Sequence, residues 1–114
     1  MHLCPANRRS GQETGENVDS ELASLQRRHG IAGHVAIEPS PLGGPIVRLT
    51  GHGSTAIVAL QGAHVLEWAS DGAAPVLWRS PVDRLGTAKP LRGGIPVCWP
   101  WFALHPTDPA KPNH

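Results

Sequence analysis

The chain has 114 residues, a length typical of one domain, and a net charge of +1 with acidic and basic residues interspersed. This balance provides no electrostatic footprint for nucleic acid or for an anionic membrane surface, so neither partner is expected. No apolar run reaches the roughly 18 residues of a membrane span, and residues 1–20 lack the apolar stretch of a signal peptide. These features predict a soluble, cytoplasmic protein.

The two cysteines, Cys4 and Cys98, do not make a disulfide framework, and no Cys/His spacing matches a zinc site. The sequence also lacks a GxGxxG motif and a Walker loop, which argues against a bound nucleotide. We therefore predict no metal, no cofactor and a reducing compartment. Cys98 is expected to be a small packed hydrophobe, because no positioned base that would activate it as a nucleophile is visible.

The N-terminal part divides into a tail and a helix. Residues 1–18 have almost no apolar content, which predicts a disordered tail. A short helix is predicted over 19–30, with Asp19 or Ser20 as its N-cap, basic residues in its last turn and Gly30 as its stop.

Beyond the helix, short apolar runs alternate with turn residues, and this pattern favours strands. Strands are predicted over 34–38, 46–50, 54–60, 63–68 and 75–78. Short strands at this spacing are typical of an all-β sandwich. The fold class predicted for the chain is therefore all-β, with one short N-terminal helix.

The run 91–102, LRGGIPVCWPWF, joins an arginine, a glycine pair and closely spaced aromatic residues. A glycine pair lets another group approach the backbone, and the guanidinium of Arg92 can hold a carboxylate or phosphate through two parallel N–H bonds. For Arg92 we therefore favour a ligand-binding role. For Trp99 and Trp101 packing in the core is favoured, with stacking against the C–H face of a sugar as the alternative.

Several motifs appear in order along the chain, and together they carry a family resemblance. They are QGAHVLEW at 61–68, PVLWRSP at 75–81, the run 91–102, HPTDP at 105–109 and PNH at 112–114. The region 31–114 resembles the N-terminal part of the D-hexose-6-phosphate mutarotases, or glucose-6-phosphate 1-epimerases, of the galactose-mutarotase-like superfamily. The resemblance implies an incomplete part of a β-supersandwich domain, an isomerase family and a hexose 6-phosphate partner. It leaves the oligomeric state open.

The chemistry implied by the resemblance is mutarotation. One group takes the proton of the anomeric hydroxyl while another protonates the ring oxygen. In the family these roles fall to a His and a Glu downstream of the last motif, so no catalytic residue is assigned here. The resemblance assigns substrate binding to Arg92, Asn113 and His114, although Pro90 departs from the family pattern just ahead of Arg92. We expect a truncated chain that is inactive alone; the alternative is a non-catalytic carbohydrate-binding or structural β-sandwich segment.

Other ionisable residues receive structural interpretations. His64 is expected to be a hydrogen-bonded structural histidine, with a position in a sugar-binding cleft as the alternative. Glu67 is expected to be a solvated strand residue. Arg79 and Arg84 are expected to be surface charges unless the fold brings them beside Arg92, where they would join a phosphate pocket. Residues 104–114 contain three prolines and are predicted to form a loop, and in the superfamily such loops frame a sugar-binding cleft. Asp108 either caps this Pro-rich loop or lines the cleft.

Overall fold

The structure is a computed structural model that describes residues 13–87 and 89–111. One helix precedes four strands, which form an antiparallel meander in the order β1-β2-β3-β4. The bounds are α1 (Glu13–His29), β1 (Val35–Pro39), β2 (Pro45–Gly51), β3 (Ser54–Ala59) and β4 (Val65–Ser70), with a 3-10 turn (Gln61–Ala63) before β4. The mainly-β class predicted from the sequence is confirmed. Among the described residues, no helix combines the length and the apolar character needed to cross a bilayer.

Helix α1 ends where the sequence predicts but begins earlier, at Glu13. The predicted tail 1–18 therefore overlaps the helix from Glu13 onward, and residues 1–12 lie outside the described part. The predicted N-cap is wrong as well, because Ser20 lies inside the helix and its hydroxyl donates to the carbonyl of Asn17 at 2.9 Å. Once a helix has nucleated, each added residue gains one hydrogen bond, so a polar segment can extend it without apolar contacts.

The first four predicted strands are present, while the fifth is not. The run 75–78 forms no strand. The next residue, Arg79, forms an isolated bridge opposite Gly93. The β3–β4 register also shifts between Ile57 and Val58, which marks a β-bulge at the start of β4. A bulge bends the strand and re-aims its side chains, and here it lies next to the segment that carries Arg92.

The core lies on one face of the sheet and is covered by an irregular segment rather than by a second sheet in the described part. The buried apolar side chains are Ile46, Ala59, Leu66 and Leu85. Leu85 reaches the core from the chain after β4, and its N–H donates to the carbonyl of Leu42 at 2.8 Å. The next residue, Gly86, donates its N–H to the side-chain oxygen of Gln61 at 2.7 Å. These bonds hold the segment after β4 against the sheet.

Candidate functional site

The residues around Arg92 form one side of a short two-stranded ribbon. The N–H of Gly94 donates to the carbonyl of Trp78 at 2.8 Å, and the N–H of Ser80 donates to the carbonyl of Arg92 at 3.2 Å. On the other side, Ile95 and Val65 exchange two backbone hydrogen bonds of 2.8 and 2.9 Å. The segment 92–95, which we call the Gly-Gly segment, is therefore held between residues 78–80 and the start of β4.

Both glycines of the Gly-Gly segment are required by the geometry. Gly93 has a φ of +85°, and a Cβ added there would lie 2.2 Å from the carbonyl oxygen of Trp78. Gly94 has a φ of +65°, and its added Cβ would lie 2.2 Å from the carbonyl oxygen of Val65. Both positions combine a left-handed backbone with close approach of another chain segment, the two conditions that favour glycine. The close approach predicted from the sequence is confirmed.

The side chain of His64 binds the backbone of the Gly-Gly segment. Its side chain is buried, with 8% exposure, and its Nε2 lies 2.6 Å from the carbonyl oxygen of Gly93. Because a carbonyl oxygen can only accept, Nε2 must carry the proton in this hydrogen bond. The structural role predicted for His64 is confirmed.

The backbone of Arg92 is fixed while its side chain is exposed. Its N–H donates to Oδ2 of Asp83, which lies in the segment after β4. Within residues 13–87 and 89–111, no carboxylate forms an ion pair with the guanidinium of Arg92. Arg84 lies next to this contact, because its Nη1 donates to the carbonyl of Asp83 at 2.7 Å. Asp83 thus binds the backbone of Arg92 through its side chain and the side chain of Arg84 through its carbonyl.

Two other arginines near the sheet are neutralised by carboxylates. Arg79 pairs with Glu67 at 3.3 Å, and Arg48 pairs with Glu38 at 2.7 Å. The side chain of Glu67 is only 30% exposed, so the prediction of a solvated strand residue is wrong. The reason is the bridge between Arg79 and Gly93, which brings the guanidinium of Arg79 over β4. Arg79 therefore belongs to an ion pair rather than to a pocket with Arg92.

The aromatic residues of the motif are less buried than the favoured interpretation requires. Trp99 is 77% exposed, and Cys98 is an exposed free thiol, so the predicted core positions of both are wrong. Pro96 and Pro100 flank this stretch and cannot donate to a sheet, which keeps it out of the regular layers. Trp101 is half-buried and packs edge to face against His105, with 4.4 Å between ring centroids.

The remaining predicted residues lie at the end of the chain. Asn113 and His114, assigned to substrate binding by resemblance, fall outside the described residues, so their placement stays a prediction. Asp108 caps the Pro-rich loop, since its Oδ1 accepts the N–H of Ala110 at 3.0 Å. Its own N–H donates to Nδ1 of His105 at 2.9 Å. Of the two roles left open for Asp108, the structure shows the capping one.

Sequence reasoning missed two residues that meet at the Gly-Gly segment. Asp83 holds the backbone of Arg92, and Trp78 lies against Gly93, whose added Cβ would be 2.8 Å from Cε3 of the indole. Neither contact has a local signal in the sequence, because both depend on the pairing of 78–80 with 92–94. The only available signal was the position of Trp78 directly before Arg79, in a motif that the family resemblance already included.

Comparison with known proteins finds partial similarity to curated proteins from two bacteria. Over 44 residues, or 39% of this chain, the sequence is 54% identical to the "Putative glucose-6-phosphate 1-epimerase" of Salmonella typhimurium strain LT2. Over the same length it is 52% identical to the protein of that name in Escherichia coli K12. The chain spans only 15% of the length of either relative. No family model and no solved structure matches the chain. The similarity thus concerns one stretch of the chain, in agreement with the resemblance seen in its motifs.

Proposed function

We propose that the Gly-Gly segment forms the phosphate-binding part of a hexose 6-phosphate site of the glucose-6-phosphate 1-epimerase type. The names of the two similar bacterial proteins support this substrate class. The observation that carries the proposal is the exposed guanidinium of Arg92 on a backbone fixed from both sides. A guanidinium can hold a phosphate dianion through two charge-assisted hydrogen bonds.

The surroundings of Arg92 support its role over that of Arg48 and Arg79. Arg48 and Arg79 already bind carboxylates, which would compete with a phosphate. The N–H of Arg92 is held by Asp83, and the carbonyl of Arg92 accepts from Ser80. The backbone at Arg92 is thus ordered before a ligand arrives, which lowers the entropic cost of binding. Arg84, whose Nη1 donates to the carbonyl of Asp83, is our candidate for a second cationic contact.

The finer assignments within the proposal concern the sugar and the reaction. We propose that Asn113 and His114 contact the sugar and that the reaction is anomer exchange by general acid–base ring opening. We assign neither of these roles to His64, which is buried and donates from Nε2 to the carbonyl of Gly93. We assign neither to Glu67, which pairs with Arg79. We also propose a cytoplasmic location, which is where a phosphorylated sugar would be met.

A non-catalytic binding module is the second candidate. It is favoured by the bonding of two ionisable side chains near Arg92: His64 donates to the carbonyl of Gly93, and Glu67 pairs with Arg79. Such a module would bind the sugar phosphate without accelerating anomer exchange. Both candidates share the phosphate contact through Arg92.

Replacement of Arg92 by lysine tests the shared contact. Arg92→Lys keeps the charge but loses the fork, so we expect the affinity for glucose 6-phosphate to fall about 10- to 100-fold, as for loss of a charged hydrogen bond. The affinity for free glucose should be unchanged. Calorimetric titration of the 114-residue chain with both ligands measures this. Arg27→Lys, on the exposed last turn of α1, is the matched control. Equal losses for both sugars would make Arg92 a structural residue.

A further inference from the structure

We infer that Trp78 is the platform on which the sugar ring of the ligand stacks, directly beside the phosphate contact of Arg92. The inference rests on the proposed function and names a residue that recognises the sugar rather than its phosphate. It follows from three observations: the place of Trp78 in the ribbon, the contact of its indole with Gly93, and its exposure.

The ribbon fixes Trp78 next to Arg92. Gly94 donates its N–H to the carbonyl of Trp78 at 2.8 Å, and Arg79 lies opposite Gly93. A Cβ added to Gly93 would meet Cε3 of the Trp78 indole at 2.8 Å. The indole therefore lies against the residue that follows Arg92, and it can do so only because that residue has no side chain. In this pairing Trp78 lies opposite Gly94, two positions along the chain from Arg92, so the two residues are close neighbours across the ribbon.

The exposure of Trp78 leaves its remaining surface available to a ligand. Trp78 is 67% exposed, and one edge of its ring lies close to Gly93. The rest of the indole offers an apolar face to a ligand. Trp101 differs, because it is half-buried and packs on His105. Trp78 thus has an indole surface free for contact outside the chain.

The two side chains match the two halves of a hexose 6-phosphate. A guanidinium binds the phosphate through paired hydrogen bonds, while an indole covers the apolar C–H face of a pyranose ring. Inorganic phosphate offers only the first contact. The pair Arg92 and Trp78 would therefore distinguish a sugar phosphate from free phosphate, which Arg92 alone does not do.

The test compares glucose 6-phosphate with inorganic phosphate on the full 114-residue chain. In the ¹H–¹⁵N NMR spectrum, the indole N–H signal that disappears in Trp78→Phe is that of Trp78. We expect this signal to shift on addition of glucose 6-phosphate and to stay in place with inorganic phosphate. Trp78→Leu should weaken glucose 6-phosphate about tenfold and leave inorganic phosphate unchanged. Trp68→Leu, which removes an exposed indole on β4, is the control and should change neither affinity.

The outcomes separate this inference from the proposed function. If glucose 6-phosphate binds in a manner that depends on Arg92 while the Trp78 signal stays in place, the proposed function stands and the platform role is overturned. Equal loss of both ligands in Trp78→Leu also overturns it, since Trp78 would then only support the turn. If the leucine variant fails to fold, the wild-type spectrum alone decides. Failure of the wild-type chain to bind either ligand overturns both proposals.

Discussion

At the scale of single residues, His64 and Gly94 allow the backbone of the Gly-Gly segment to form its hydrogen bonds. His64 places its ring N–H on the carbonyl of Gly93, and Gly94 lets the carbonyl of Val65 approach so that Val65 can pair with Ile95. A buried imidazole without a partner would be costly, and so would an orphaned carbonyl. The Gly-Gly segment and His64 therefore stabilise each other. Together they fix the backbone that carries the exposed side chain of Arg92.

Alanine at Gly94 should be much more destabilising than alanine at another left-handed glycine. At Gly94 the new Cβ would clash with the carbonyl of Val65, and we expect a loss of about 3 kcal/mol from the strained φ and the broken backbone pair. Gly72 has a similar φ of +75° with nothing within 4 Å of an added Cβ, so Gly72→Ala should cost only about 1 kcal/mol. Urea unfolding of both variants measures the difference. Equal losses of unfolding free energy in the two variants would show that the left-handed backbone alone, and not the close approach of Val65, requires a glycine at position 94.

At the scale of elements, helix α1 protects the open edge of the sheet. The edge strand β1 leaves the N–H of Ile37 without a strand partner, and the side-chain oxygen of Gln26 on α1 accepts it at 2.7 Å. An unpaired strand edge is a template for association with other chains. The helix thus covers β1 with one specific hydrogen bond rather than with a large apolar interface, since most of its described residues are exposed or half-buried.

Loss of the Gln26 acceptor should loosen the contact between helix and edge. We expect Gln26→Ala to cost about 1 kcal/mol and to speed hydrogen exchange of the Ile37 amide about five- to tenfold, because the N–H then faces water. Gln26→Glu keeps an acceptor oxygen at the same position and should retain the protection of this amide. Exchange measured residue by residue by NMR provides the comparison. Unchanged protection in Gln26→Ala would mean that α1 is not held at this point.

At the scale of the whole molecule, the sheet and the chain after β4 are built differently. The buried apolar side chains are few in the described part, and the segment after β4 exposes many large apolar residues. Among these are Val76, Val82, Phe102 and Leu104. This segment is held to the sheet mainly by hydrogen bonds and the Arg79–Glu67 ion pair, with Leu85 as its one buried apolar side chain among the described residues. The candidate site lies where this segment contacts β4, so its geometry depends on both the sheet and the segment.

The 114-residue chain is expected to leave the rate of anomer exchange unchanged. A positioned acid or base typically contributes a hundred- to ten-thousand-fold, and the groups near the site are already engaged. His64 donates to Gly93, Glu67 binds Arg79, and Nδ1 of His105 accepts the N–H of Asp108. Polarimetry of freshly dissolved α-glucose 6-phosphate, with and without the chain, is the measurement. An acceleration that disappears in Arg92→Ala would show that this chain carries its own acid and base.

Local patterns in the sequence determined the elements and the nature of the turn. Alternating apolar runs bounded by glycine and proline predicted the four strands, because strand periodicity and turn chemistry depend on neighbouring residues. The same local logic predicted the end of α1 at Gly30 and the close approach at Gly93 and Gly94. It failed at the start of α1, where helix extension does not require apolar residues.

Tertiary structure alone decided which side chains meet. The pairing of residues 78–80 with 92–94 placed the indole of Trp78 on Gly93 and the guanidinium of Arg79 on Glu67. It also fixed the backbone N–H of Arg92 on Asp83 and left the side chain of Arg92 exposed. These partners are distant in sequence, and their contacts depend on strand register and on a β-bulge, neither of which has a period that can be read from the chain. The sequence by itself thus determined that Arg92 precedes a glycine turn, whereas the fold decided that Arg92, unlike Arg48 and Arg79, has no carboxylate paired with its guanidinium among the described residues.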